Sequence, residues 1–339
     1  MVLADGSVEG FVVEETAVSS IPITPNTLPV GMPPLLVVED ARPRLIVPEG
    51  DFSPQTHPVL LNDGLAYVAE NGDLVIEQNG AETRLAVQAL PDARILVDEN
   101  GRLLLLTQPT TDYRHTVLGD GIEAAAITLV EITPNVRIAQ TIPIASPHVI
   151  EGISPIWVDW NGDGQREIIV TRTSRNEGAQ LVMYDETGNL LATSSAIGQG
   201  FRWRHQLAVA PFGPTGAMEL VDVRTPHIGG QVEFFQWQGD QLEIVARTDG
   251  YTSHVIGSRN LDLGVAGQFD LSGNVTQLLP SQDRSLLAGI QHREEGAVVA
   301  WELPIGGQVV TNLMAVEMED GKTAVGLGRD DNVLRLWQP

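Results

Sequence analysis

A loop-and-strand unit that recurs along the chain limits the possible folds more than any other feature. Residues 159–173 (DWNGDGQREIIVTRT) align without a gap on residues 211–225 (PFGPTGAMELVDVRT), with matching Gly, Glu and Arg-Thr positions. Shorter, more degenerate copies begin at Asp270 and Glu317. The two best copies lie about 50 residues apart, a period typical of repeat architectures in which each repeat is one supersecondary unit. The sequence therefore predicts a fold built from several similar β-units.

The strand pattern identifies the kind of unit. Apolar runs such as LAYVAENGDLVIEQ, GRLLLLTQ and QVEFFQWQ are short, rich in β-branched or aromatic residues and separated by Gly and Asn/Asp turns, and no helical period persists. We therefore predict an all-β chain, a β-propeller of six blades, with seven as the alternative because the first blade is weakly marked. The predicted blades cover residues 52–90, 91–147, 148–198, 199–250, 251–304 and 305–339.

The N-terminal region differs from the repeats. Residues 16–34 are rich in Pro, Ser and Thr, so we predict that residues 1–33 form an extended arm or linker and that residues 34–339 form a single propeller domain. The last blade shows only three apolar runs, and an open blade would expose an edge. Residues 35–47 are therefore predicted to close the ring as an N-terminal strand. No signal peptide is recognisable at the start of the chain.

The loop at residues 159–167 has the composition of a calcium site. Side-chain oxygens occupy alternate positions at Asp159, Asn161 and Asp163, a backbone carbonyl is available at Gln165, and Glu167 can close the ring. Glycines between these residues permit the positive φ of a tight turn. An EF-hand fits less well because apolar strands, not helices, flank the loop. A plain hairpin turn is the alternative, since Asn-Gly and Asp-Gly are common turn dipeptides.

At these residues the chain resembles the FG-GAP or VCBS repeat proteins, whose propeller blades carry calcium loops between their first two strands, as in the head of integrin α-subunits. The resemblance implies a propeller over about residues 52–339, calcium as cofactor, and a secreted, periplasmic or cell-surface location. Only residues 159–170 match the motif closely. The copy at Pro211 has lost its acidic ligands, the copy at Asp270 keeps oxygens but little charge, and metal binding at these two copies and at Glu317 is left open.

Charge and composition exclude some functions. The formal net charge of −24 argues against nucleic acid, which requires clustered cations. The absence of cysteine excludes disulfides and thiolate chemistry. No apolar run approaches the roughly 20 residues of a membrane span. Motifs of common enzymes, such as GxSxG, a P-loop or HExxH, are also absent from the sequence.

Blade topology predicts which residues share a face. In a four-stranded blade, the connection into the first strand and the one between the second and third strands emerge opposite the calcium loop. This rule places His57, His148 and Arg204 on that face and His292 on the other. It also places there the candidate ligand-binding residues, whose histidine rings we expect to be partly exposed: His115, Asp120, Glu123, Arg202, Trp203, His205, His227, His254 and Arg259.

Three functions remain open at the sequence level. The first is a calcium-stabilised binding module that recognises a glycan, a peptide or a protein through the His/Arg face, because Arg suits carboxylate and phosphate groups. The second is a hydrolase or lyase that uses the same face for acid–base chemistry. The third is a structural subunit docked to an assembly through its N-terminal arm. The histidines could instead brace neighbouring blades, or hold a transition metal, and whether the chain is an enzyme stays undecided.

Overall fold

The computed structural model describes residues 1–14, 17–39, 42–270, 272–318 and 323–337. In these ranges all regular elements are β-strands, so the predicted all-β class is confirmed. Within the same ranges we find no helix with the length and hydrophobicity that crossing a membrane requires. The chain divides into two compact units, Met1–Thr110 with Glu123–Ala145, and Thr111–Ile122 with Ser146–Pro339. Residues 34–339 thus belong to two units, where the sequence predicts a single domain.

The first unit contains twelve of the described strands, which form two hairpins and two four-stranded antiparallel sheets. The hairpins are β1–β2 and β3–β4, and the sheets have the orders β5-β6-β7-β8 and β9-β10-β11-β12. The strands are β1 (Gly10–Glu14), β2 (Ala17–Ile21), β3 (Leu35–Glu39), β4 (Arg42–Ile46), β5 (Val59–Leu61), β6 (Gly64–Val68), β7 (Leu74–Gln78), β8 (Ala81–Leu85), β9 (Leu96–Val97), β10 (Leu103–Thr110), β11 (Glu123–Glu131) and β12 (Arg137–Pro143).

The second unit contains four antiparallel groups of strands among its described residues. In the first group β13 and β14 both pair with β15, and the last group has three strands. The strands are β13 (Val149–Ile150), β14 (Ile156–Val158), β15 (Glu167–Ser174), β16 (Gly178–Tyr184), β17 (Leu190–Thr193), β18 (Arg204–Ala210), β19 (Glu219–Arg224), β20 (Gln231–Gln238), β21 (Gln241–Asp249), β22 (Val265–Gly267), β23 (Thr276–Pro280), β24 (Leu286–Arg293), β25 (Gly296–Pro304), β26 (Met314–Glu317), β27 (Thr323–Gly328) and β28 (Leu334–Trp337).

The sheets fall in the intervals predicted for blades. Strands β5–β8 and β9–β12 occupy residues 52–90 and 91–147, and the four groups of the second unit occupy the four later intervals. Apolar side chains explain the inner strands: Leu103 to Leu106 of β10 are fully buried and pair in register with β11. A continuous apolar run is typical of a strand that is covered on both faces. The sheets follow one another along the chain as propeller blades do, while the blade count stays a prediction.

The N-terminal region departs from the prediction in two ways. Residues 1–33 are not an extended arm, because β1 and β2 form a hairpin and Leu28 and Met32 are buried. Residues 35–47 do not supply a strand to the last sheet: β3 pairs with β4, whereas in the described residues the last sheet consists of β26, β27 and β28. The predicted closure is wrong because the two strands of this segment satisfy each other's hydrogen bonds, so neither is left to complete the last sheet.

Candidate functional site

The predicted calcium loop is a tight turn held by its own backbone amides. Asp159 Oδ1 accepts hydrogen bonds from the amides of Gly162 (2.8 Å) and Asp163 (3.1 Å), and Asp159 Oδ2 accepts one from Gly164 (2.9 Å). Gly162 and Gly164 have φ of 76° and 84°, the left-handed region that glycine adopts without strain. Asp163 Oδ1 accepts from the Gln165 amide (2.8 Å), so the side-chain oxygens are directed into the loop.

Glu167 is also directed toward this loop. Its Oε2 accepts a hydrogen bond from the Trp160 amide at 2.8 Å, and the side chain is buried. Burial raises the pKa of the Glu167 carboxyl, and the nearby charges of Asp163 and Asp159 raise it further. Clustered hard oxygens that repel one another are the donor set that calcium prefers. In the described part of the chain, however, no group of three or more His, Asp or Glu side chains converges as a metal site.

In the later copies of the loop, the carboxylates accept hydrogen bonds from amide and imidazole groups instead of lying beside other carboxylates. Glu219, which aligns with Glu167, is fully buried and accepts from His292 Nδ1 (2.8 Å) and Gln236 Nε2 (2.9 Å). Asp270 accepts from the Ser272 amide (2.9 Å), and its other oxygen accepts from Gln291 Nε2 (3.1 Å). The copy at Glu317 extends into residues 319–322, which lie outside the described residues. His292 thus lies beside a copy of the loop, as the blade rule predicts.

Four of the predicted histidines gather around one tryptophan in the second unit. The Trp203 ring stacks on His205 at 4.7 Å between centroids and contacts His227 and His254 at 6.0 and 4.9 Å. Its Nε1 donates to the backbone oxygen of Glu151 at 3.2 Å, and Glu151 also contacts His115 through its carboxylate. The loops that precede strands β18 and β22 and the segment 111–122 therefore converge, as predicted from the blade topology.

The exposure of this cluster differs from the prediction. Trp203, His205 and His254 are buried rather than displayed, and only His115 and His227 are partly accessible. His205 Nδ1 is hydrogen-bonded to the buried hydroxyl of Ser253 at 2.9 Å. Trp203 therefore cannot serve as a platform for a sugar ring. The buried members form a rigid base on which the surrounding loops are held.

Hydrogen bonds fix the tautomers of two histidines. The backbone oxygen of Ser258 can only accept, so His254 Nε2, 2.7 Å away, carries a proton and His254 Nδ1 is the acceptor in the neutral ring. His227 Nε2, at 2.8 Å from His254 Nδ1, must then be the donor. Burial lowers the pKa of both rings to about 4, and for His227 the neighbouring His254 adds to the effect. Both rings are neutral at physiological pH, with the unprotonated atom at His227 Nδ1.

His115 and Glu151 form a second pair in the same cluster. His115 Nδ1 contacts Glu151 Oε1, and the carboxylate is fully buried. Burial raises the pKa of Glu151, while His115 and, more weakly, Thr173 oppose the increase. A buried carboxylate at Nδ1 orients the imidazole and leaves Nε2 for another partner. The pair could accept a proton or bind an acidic group, and its ring stacks on Phe201 at 5.3 Å.

The remaining predicted residues lie in two places. Asp120 and Arg259 form an ion pair that joins the segment of His115 to the loop of His254. Arg202 is exposed beside Trp203, with Nη1 at 3.4 Å from the backbone oxygen of Ile197. Glu123 belongs to the first unit, where it is buried at the start of β11.

Arg204 is not displayed on a loop, and the other two histidines lie apart from the cluster around Trp203 in their contacts. Arg204 is buried and pairs with Asp222 (2.8 Å) and Glu233 inside the sheet of β18, β19 and β20. His148 pairs with Glu177 at 2.8 Å, and His57 belongs to the first unit. Arg204 is the first residue of β18 and is covered inside the sheet, whereas Arg202 lies in the loop before the strand and is exposed.

Sequence reasoning missed the apolar residues at the tips of these loops. Phe201, Ile228 and Ile256 are 47%, 81% and 66% exposed. Phe201 stacks on His115, Ile228 follows His227, and Ile256 lies in the turn whose Gly257 amide donates to the Val117 backbone oxygen at 2.8 Å. A large apolar residue in a Gly-rich loop is the signal that would have identified them. We call the surface formed by Phe201, Ile228, Ile256, Arg175 and Arg202 the loop surface.

Comparisons with known proteins identify similar backbones. No protein-family model and no curated protein matches the chain. The Dos1 propeller is one similar solved structure, with 11% sequence identity and a TM-score of 0.48 over 82% of this chain and 65% of that one. A protein from Lactobacillus plantarum is another, with 12% identity and a TM-score of 0.48 over 88% of each chain. The WD40 domain of coronin from Toxoplasma gondii is similar over 81% of this chain and 66% of that one, with 11% sequence identity and a TM-score of 0.45. This chain spans less than two thirds of the Dos1 structure's length.

Proposed function

We propose that the protein is a β-propeller binding module that engages a peptide or protein through the loop surface. The observation that carries the proposal is the exposure of Phe201, Ile228 and Ile256 at the tips of three loops, above a buried base of Trp203 and histidines. Exposed apolar residues with aromatic and Arg neighbours are typical of interaction surfaces. A rigid base reduces the ordering cost of binding.

A glycan is less well supported than a peptide by the same residues. Sugar recognition uses exposed aromatic rings and many convergent polar groups, whereas Trp203 is buried and two of the three tips are isoleucines. Aliphatic tips of this kind match the apolar side chains of a peptide. We therefore assign the loop surface to a peptide or protein partner.

The loop surface is tested by replacing its apolar tips. We expect a triple variant, Phe201→Ser with Ile228→Ser and Ile256→Ser, to lose at least about tenfold in affinity, since loss of central apolar contacts costs more than 1 kcal/mol each. The probe is a peptide selected from a displayed library on the wild-type protein, and affinity is measured by fluorescence anisotropy. Leu190→Ser, at a position 51% exposed on β17, is the matched control. Equal affinity in the triple variant and the control would contradict the proposal.

We also propose that the loop of Asp159, Asn161, Asp163, Gln165 and Glu167 binds calcium. The clustered carboxylates, the left-handed glycines and the raised pKa of Glu167 support the proposal, because a divalent cation would relieve the repulsion among these groups. Their oxygens would have to turn from the loop amides toward the ion. Calcium would then stabilise the turn that joins β14 to β15.

Thermal unfolding with and without calcium tests this site. At calcium a hundredfold above its dissociation constant, stability should rise by about 2.7 kcal/mol, and Asp163→Ala should abolish the rise. The control is Asp185→Ala, because Asp185 accepts two loop amides in a similar turn between β16 and β17. It should lower stability slightly and keep the calcium response. A melting temperature that ignores both calcium and chelator would refute the site.

A further inference from the structure

Two arginines of the loop surface stand out in an acidic chain. The protein has 44 acidic and 20 basic residues, and arginines such as Arg84, Arg137 and Arg259 pair with carboxylates. Arg175 and Arg202 are exposed and form no ion pair with any carboxylate in the described part of the chain. Several other exposed arginines of the described residues also lack an ion pair, but these two lie beside an exposed aromatic ring of the loop surface.

The two arginines flank Phe201. The Arg175 guanidinium lies 5.4 Å from the Phe201 ring centroid, and the Gly200 amide donates to the Arg175 backbone oxygen at 3.2 Å. Arg202 follows Phe201 directly and is held only by the backbone oxygen of Ile197. An aromatic side chain with guanidinium groups beside it presents an apolar contact and bidentate donors for carboxylates together.

Nearby acidic groups are already engaged. Glu177 lies on the same hairpin as Arg175 and binds His148 Nε2 at 2.8 Å, and Glu151 is buried against His115. Asp120 is paired with Arg259, and Asp112 is exposed on the segment of His115. The net charge of −24 repels an acidic partner at long range, but at physiological salt charges beyond about 8 Å are largely screened. The guanidinium groups of the loop surface therefore determine which charge the bound segment carries.

We infer that the partner segment is acidic, with carboxylates that bind Arg175 and Arg202 and apolar residues that contact Phe201, Ile228 and Ile256. This inference rests on the proposed function, because it specifies the chemistry of the peptide that the loop surface binds. Charge complementarity at an interface gives specificity more than bulk affinity, so a neutral peptide of the same shape should bind weakly.

The test compares the affinities of two short fluorescent peptides. One alternates Glu with Leu, and the other has Gln in place of each Glu. We expect the Glu peptide to bind wild type at least tenfold more tightly than the Gln peptide. Arg175→Met with Arg202→Met should remove this difference, while the Lys pair at the same positions should keep part of it, because charge remains but bidentate donation is lost. Arg137→Met, an exposed arginine paired with Glu131, is the matched control.

The outcomes separate this inference from the proposed function. If both peptides bind equally and the triple apolar variant weakens both, the loop surface binds peptides and the inference about acidity is wrong. If neither the arginine variants nor the triple apolar variant changes binding, both proposals fail. If an oligogalacturonate of similar charge binds wild type more tightly than the Glu peptide and depends on Arg175 and Arg202, the ligand is an acidic glycan and the inference is overturned.

Discussion

At the scale of single residues, burial of histidine changes what the loops can do. In the sequence, His205, His227 and His254 lie in Gly-rich loops, a pattern that predicts contact with a ligand. In the structure, they instead form the base that lies under the loops. His254 joins two loops, because its ring accepts from His227 and donates to the Ser258 backbone. A neutral ring is required for this arrangement, so the base depends on pH.

This dependence gives a prediction about stability in acid. His227 and His254 have a pKa of about 4 in the folded protein against 6.5 in the unfolded chain, so between those values the unfolded chain binds more protons. The free energy of unfolding should therefore be highest above pH 6.5. It should fall as the pH drops toward 4, by up to about 3 kcal/mol for the buried His254. His254→Gln should flatten the curve in urea unfolding between pH 7.5 and 5. An unchanged slope in this variant would contradict the assignment.

At the scale of elements, the sheet of β18, β19 and β20 contains a buried charge cluster. Arg204 on β18 pairs with Asp222 on β19 and Glu233 on β20, and the two carboxylates are register partners. Burial raises the pKa of Asp222 to about 7, and Glu233 adds to the effect while Arg204 opposes it. Arg204 is therefore the main cation that compensates two buried carboxylates, with Arg224 at 3.9 Å from Glu233 as a more distant second.

Removal of the cation should cost more than removal of a carboxylate charge. Arg204→Met leaves Asp222 and Glu233 facing each other with only the more distant Arg224 as a cation, and we expect a loss of about 3 to 5 kcal/mol in urea unfolding. Adding Asp222→Asn to the Arg204→Met variant should recover part of the loss, because it removes one of the two charges. If the double variant is less stable than Arg204→Met alone, the hydrogen bonds of Asp222 matter more than its charge.

The elements also show what a sequence can predict. Turn residues and apolar runs predicted the intervals in which successive groups of antiparallel strands lie, because Gly and Asn/Asp turns are local signals, while the number of blades stays a prediction. The same topology brought His115, His205, His227 and His254 together. It could not predict the inward direction of Arg204, which depends on one residue of register at the start of β18. Nor could it predict the hairpins of residues 1–47, because the sequences of β1 and β3 do not alternate apolar with polar residues.

At the scale of the whole molecule, each unit has its own core. In the second unit, Phe234 and Ile290 belong to one core cluster and Leu278 and Leu327 to another. In the first unit the β3–β4 hairpin covers a sheet: Leu35 and Ile46 pack against Leu65, Tyr67 and Val75 of the first four-stranded sheet. The N-terminal residues are therefore part of the fold of the first unit.

The alternation of β3 and β4 allows this cover to be tested with point variants. Leu35 and Ile46 are register partners that face the sheet core, whereas Leu36 and Val38 are 54% and 68% exposed on β3. We expect Leu35→Ser with Ile46→Ser to lower stability by about 1 to 3 kcal/mol, because two partly buried side chains lose apolar contacts.

The matched pair Leu36→Ser with Val38→Ser should change stability by less than about 0.5 kcal/mol, since exposed positions contribute little. Urea unfolding followed by the fluorescence of the dye ANS would report both the loss of stability and exposure of the sheet around Tyr67. Deletion of residues 1–47 should lower stability more than the Leu35→Ser, Ile46→Ser pair does. It should also expose the sheet, so that the protein aggregates. If the inward and outward pairs lower stability equally, the hairpin does not cover the sheet, and residues 1–47 are dispensable to the first unit.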